Sequence, residues 1–144
     1  MTLLRLQMCI VYVETGWTKA SGREWWSGDS LWRTLQQPQF QGVVGTQWLG
    51  DFPALVKTIA ICVIVVELAY PVAMWIPKIR ALELISILLL HAVIMFTLDL
   101  WAFGAALVVL NLAAFGVPVM QDLRSLFPRL CRGYRSKRPA PTVA

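Results

Sequence analysis

Residues 55–76 read LVKTIAICVIVVELAYPVAMWI. A run this long and this apolar reads as a membrane-spanning helix. Two charges interrupt it, Lys57 near one end and Glu67 in the middle, and Pro71 is expected to kink it. Two further spans follow. The short basic turn Pro77-Lys78-Ile79-Arg80 leads into Ala81 to Leu98, which carries Glu83 near its start and His91 at mid-depth. After a tight turn at Asp99-Leu100 comes Trp101 to Met120. That span is rich in small residues, such as Gly104, Ala113, Ala114 and Gly116, which let helices approach closely. Asn111 is its only strongly polar side chain.

Upstream, Leu3 to Lys19 would make a helix of roughly 25 Å at about 1.5 Å per residue, just long enough to cross. Arg5, Gln7, Glu14 and Lys19 make it a poor lone inserter, because a charge at the bilayer centre costs about 2.5–3.5 kcal/mol on translocon scales. It therefore needs protein neighbours and reads as lining a polar site inside a bundle. The expected fold is an all-α membrane protein with about four transmembrane helices. Between the first and second, residues 20–53 are polar and broken by Gly22, Gly28, Gly42, Gly45, Gly50, Pro38 and Pro53. Ser27 or Asp29 is placed to cap a short helix from Ser30 to Gln37. Trp25, Trp26, Trp32 and Trp48 suit the headgroup layer, which predicts a surface-lying loop.

Composition agrees with a membrane protein: 58% hydrophobic and 15% charged is too apolar for a soluble globule and far from disorder. The length fits one domain, with the spans in residues 1–122 and a basic tail over 123–144 that is expected to be disordered and cytoplasmic. Net charge is +5, and six of the thirteen basic residues (Arg124, Arg129, Arg132, Arg135, Lys137, Arg138) lie at or in that tail. Basic residues directly after an apolar span point to anionic headgroups and the lipid bilayer as partner, not to nucleic acid. With the tail inside, four spans put Lys78, Arg80 and Arg5 inside and the 20–53 loop outside. Both termini are then cytoplasmic. Cys9 and Cys62 lie in apolar runs and Cys131 in the tail, with no pair at metal-ligand spacing. A lone histidine is not a metal site, and no nucleophilic triad, P-loop or dinucleotide fingerprint is present.

The polar residues within the spans form a pattern of their own. Arg5, Tyr12, Gly16 and Lys19 are separated by steps of seven, four and three, so they share one helix face, while Gln7, Glu14 and Thr18 fall on another. Lys19 is expected at the outer boundary, Glu67 and His91 near mid-membrane, and Arg80 at the inner end. Two readings stay open. These groups serve helix packing in a non-catalytic membrane component, or they form a site. An amine partly withdrawn from water can serve as a general base, and at a membrane surface it meets lipid-soluble acids such as a quinol hydroxyl.

The run Leu3-Leu4-Arg5-x-Gln7-x-x-Ile10-Val11-Tyr12-x-x-x-Gly16-x-x-Lys19, then Trp25 and Gly28, resembles the motif of the vitamin K-dependent gamma-carboxylases. It also resembles their bacterial relatives, the horizontally transferred transmembrane (HTTM) proteins. A second likeness is the acid-Arg-His spacing of Glu67, Arg80 and His91, followed by Phe103. Together the likenesses cover about residues 3–115. The resemblance implies Lys19 and His91 as catalytic residues and Tyr12, Trp25, Glu67 and Arg80 as supporting or substrate-binding ones. It also implies reduced vitamin K or another quinol as the redox partner, no metal, and a bacterial cytoplasmic membrane. A full module of that family has helices before this motif, so the chain is expected to be a partial module or a remnant, with another membrane chain supplying the rest. Thr18 stands where the carboxylases carry a second lysine, Ala92-Val93-Ile94-Met95 lacks expected polar residues, and no substrate-binding domain follows Met120. These departures count against carboxylation of glutamate.

Overall fold

The computed structural model describes residues 2–40 and 42–126. Its regular structure is helical: α1 (Thr2–Ser21), α2 (Arg23–Ser27), α3 (Asp29–Leu35), α4 (Pro53–Ala73), α5 (Pro77–Leu98) and α6 (Trp101–Leu126). Single 3₁₀ turns at Pro38–Phe40 and Gln47–Asp51 lie between α3 and α4. Three of these helices, α4, α5 and most of α6, are long and apolar enough to cross a membrane. The bulk of the expected tail, with Cys131, lies outside the described residues.

Local chemistry sets the boundaries. Pro53 and Pro77 open α4 and α5 at a first helical position, where the missing N–H has no partner to lose and the ring presets φ. The basic turn Pro77–Arg80 expected from sequence is therefore the first turn of α5, with the Arg80 amide bonded to the Ile76 carbonyl at 3.0 Å. Asp99 ends α5 in the left-handed region (φ 57°), and its carboxylate accepts the Trp101 indole N–H at 2.8 Å as α6 begins. The short helix foreseen at Ser30–Gln37 is α3, one residue earlier at its start. Pro71 and Pro118 both lie within helices.

The four long helices form a closed ring in which α1 packs on α4, α4 on α5, α5 on α6, and α6 back on α1. Met8, Tyr12, Tyr70, Met74, Ile87 and Phe115 fill the centre. α1 comes close to α4 at Gly16, where an added Cβ would lie 3.0 Å from Leu68 Cδ2 and 3.1 Å from Glu67 Cβ. Glu67 is fourteen residues beyond the start of α4, about 21 Å along its axis. The C-terminal turns of α1 therefore stand opposite the middle of α4. Both α2 and α3 pack on α4, and Gly28, at φ 90°, brings its backbone against Lys57. Gly42 and Val44 donate backbone hydrogen bonds to Thr97 and Phe96 at 3.1 Å, satisfying carbonyls at the end of α5.

The α1–α4 contact is sensitive to volume. Gly16→Val is expected to destabilise the bundle by about 1–3 kcal/mol through overpacking. Gly116→Ala should be neutral or slightly stabilising, because its new methyl meets nothing closer than 4.0 Å. Unfolding of both variants in mixed micelles, followed by circular dichroism, measures the difference.

Candidate functional site

The last turns of α1 carry the site's charged half. Gly16 has no side chain, so α1 lies against α4, and Lys19, three residues on, reaches Glu67. The Lys19 ammonium donates to both carboxylate oxygens, at 2.6 Å to Oε1 and 2.5 Å to Oε2. The lysine side chain is 21% exposed and the glutamate 8%. At Gly22 the chain is extended and turns from α1 into α2. The turn folds Trp25 back so that its ring lies 5.4 Å from Lys19 Nζ, a cation–π contact.

The uncharged half lies seven residues back along α1. Tyr12 Oη and His91 Nε2 are 2.7 Å apart. Asn111 Nδ2 donates to Tyr12 Oη at 2.8 Å and to its own helix at Leu107 O, also 2.8 Å. Tyr70 Oη donates to Asn111 Oδ1 at 2.6 Å. Each of the four helices contributes one residue to this node, and none of the four is more than 4% exposed. The Tyr12 and Tyr70 rings lie 4.1 Å apart, and the His91 ring stands edge-on to Phe103 at 6.2 Å. His91 Nδ1 and Glu83 Oε1 are buried side-chain atoms with no hydrogen-bond partner.

The inward face read from the spacing of Arg5, Tyr12, Gly16 and Lys19 does point inward, while Gln7, Glu14 and Thr18 are exposed. Arg5 Nε donates to Ala114 O at 2.8 Å, and its guanidinium lies over the Phe115 ring. Of the six site residues, Lys19, Trp25 and Glu67 meet in one group, and Tyr12 and His91 meet seven residues back along α1. Arg80 stands apart, donating to Met74 O at 2.7 Å and to Asp122 at 2.9 Å where α5 and α6 meet. Lys19 sits level with Glu67 rather than above it, because the Gly16 approach fixes the register of α1 on α4. Tyr70, Asn111 and Glu83 had no assigned role. A lone amide in an apolar span was the signal for Asn111, and a carboxylate in one was the signal for Glu83. Tyr70 gave none, since tyrosine is at home in an apolar run.

Comparison with protein-family models, curated proteins and solved structures returns no match. Among the described residues no three His, Cys, Asp or Glu side chains converge as a metal site would require. The chemistry on offer is a proton-bearing Lys–Glu pair under an indole face, beside a hydrogen-bonded imidazole with one nitrogen unoccupied. That nitrogen is a buried polar group in the cluster lacking a partner, and a ligand oxygen would satisfy it.

Removing one partner of a buried pair leaves the other desolvated. Lys19→Met is expected to destabilise the protein by roughly 3 kcal/mol. Adding Glu67→Leu should recover most of that loss, and a double-mutant cycle on detergent unfolding midpoints measures the coupling.

Proposed function

We propose that the chain is a membrane enzyme of HTTM type, related to the transmembrane core of the vitamin K-dependent carboxylases. Its substrate in this reading is a quinol or another lipid-soluble acid, with Lys19 as base. The observation that carries the reading is convergence. Tyr12 and Lys19 share one face of α1, and residues distant in sequence meet them there: Trp25 of α2 and Glu67 of α4 at Lys19, and His91 of α5 at Tyr12.

The chain's residues divide the work as follows. Trp25 offers a flat apolar face to a ring, and His91 offers a ring nitrogen to one of its oxygens. Glu67 holds the Lys19 ammonium that forms when a hydroxyl proton arrives. Lys19, donating to both oxygens of Glu67, becomes a base when one of its protons passes to the Glu67 carboxylate, leaving a neutral amine beside a neutral acid. A quinol such as reduced vitamin K would supply the redox chemistry.

The same pairing favours a second reading, a non-catalytic membrane component in which Lys19–Glu67 is a packing device. Lys19→Arg separates the two. Arginine keeps the ion pair but does not act as a base near neutral pH. In nanodiscs given reduced menaquinone and oxygen, quinone products would be followed by chromatography. The enzyme reading expects turnover by the wild type and a loss of about 100-fold or more in Lys19→Arg, with the unfolding midpoint unchanged. Equal turnover in both, or none in either, supports the packing reading.

The four-span arrangement, with α1 as the additional span, belongs to the same proposal. So do the 20–53 loop on the outer face and both termini in the cytoplasm. The basic residues near Lys78 and Arg80 and beyond Asp122 support it. The exposed Gln7, Glu14 and Thr18 on a helix so placed support a further membrane chain covering that face. A C-terminal tag is expected to resist protease added to intact spheroplasts and to be cut once the membrane is opened.

A further inference from the structure

The hydrogens of the node can be assigned by satisfaction alone. Asn111 Nδ2 carries two hydrogens, given to Tyr12 Oη and Leu107 O, and its Oδ1 accepts from Tyr70. Tyr12 Oη, already an acceptor, has its own hydrogen left, and the acceptor within reach is His91 Nε2 at 2.7 Å. Nε2 is then a lone-pair acceptor, and the hydrogen of a neutral imidazole must sit on Nδ1. The opposite assignment is worse. With the hydrogen on Nε2, the Tyr12 hydroxyl hydrogen and the Nδ1 lone pair would both be stranded in a dry interior. The first assignment strands only one atom, Nδ1–H, and His91 Nδ1 is an unpartnered buried atom.

We propose that Tyr12 and Asn111 are positioning residues that lock His91 as the neutral Nδ1–H tautomer. So locked, His91 presents Nδ1–H as a hydrogen-bond donor to an uncharged oxygen, a carbonyl or hydroxyl, of a ligand within the bundle. His91 is thus a donor that orients substrate, and the proton-accepting role stays with Lys19. The quinone-class ligand rests on the reading above; the tautomer lock does not. The lock rests on residues from three helices: Asn111 fixes the Tyr12 oxygen and Tyr12 fixes the imidazole, while Tyr70 only occupies the Asn111 carbonyl oxygen. An amide or hydroxyl that is buried unpartnered is expensive, so the network resists rearrangement.

The chain has a single histidine, so ¹⁵N-histidine labelling reads this site alone. In nanodiscs, magic-angle-spinning ¹⁵N spectra of the free protein are expected to show the hydrogen on Nδ1 and none on Nε2. Tyr12→Phe and Asn111→Ala should each replace that single pattern with a tautomer mixture. Tyr70→Phe, which leaves the Tyr12–His91 bond in place, should preserve it. A hydrogen on Nε2 in the wild type, or an unchanged Nδ1–H pattern in both Tyr12→Phe and Asn111→Ala, overturns the lock. Menaquinone is then added, and its binding is followed separately by tryptophan fluorescence quenching. Quenching with a shift of the Nδ1–H resonance supports donation to the ligand oxygen, and quenching without that shift overturns it. Absence of quenching overturns the quinone reading, while the lock is decided by the spectra of the free protein.

Discussion

A polar atom in the hydrocarbon of a membrane must find its partner within the protein, since no water is there to replace it. In this bundle that requirement is concentrated in one node of hydrogen bonds with a member on each long helix. Rotating any of the four helices by one residue, about 100°, would carry its member out of reach. The contacts around the node are apolar and adaptable: Met8, Met74 and Ile87 would accept many rotations. The node supplies direction, and the apolar surface supplies contact. That division explains why a fold with so few polar residues can still have a single register.

The ion pair extends the same logic to charge. Lys19 and Glu67 together are net neutral, and the lysine keeps part of its surface exposed, which reduces the desolvation that full burial would demand. Arg5 is handled differently, by a backbone carbonyl on α6 and the face of Phe115. These partners explain how α1, the most polar of the long helices, sits in an otherwise apolar bundle. They also explain Gly16. A side chain there would push α1 from α4 and separate the pair one turn further on, so the smallest residue stands at this contact.

Much of this was legible in the sequence, and the rest was not, for identifiable reasons. The apolar runs marked the helices and Asp99 the end of α5, whereas Pro53 and Pro77, read as loop and turn residues, open α4 and α5. The seven-four-three spacing on α1 gave its inward face correctly. What one-dimensional spacing could not supply was register between helices. Lys19 was expected at the end of a full-length span because α1 was read alone. Only the Gly16 contact reveals that α1 meets α4 halfway along. Arg80 shared a spacing pattern with Glu67 and His91, yet a capping carbonyl and Asp122, forty-two residues away, hold it elsewhere. Asn111 stood out as a lone amide, but its role depends on Tyr12 and Tyr70, partners from two other helices.

The interior also contains something that packing alone does not explain. Leaving a buried donor or acceptor unpaired costs about 1–3 kcal/mol, and a bundle selected only for stability gains nothing by doing so. Here the Tyr12–Asn111–Tyr70 network satisfies its own atoms in detail and stops one bond short, at His91 Nδ1. Lys19 and Glu67 show the opposite condition, with each charge already spent on the other. One side of the cluster therefore ends in an unpaired buried nitrogen, and the other in a pair of charges that satisfy each other.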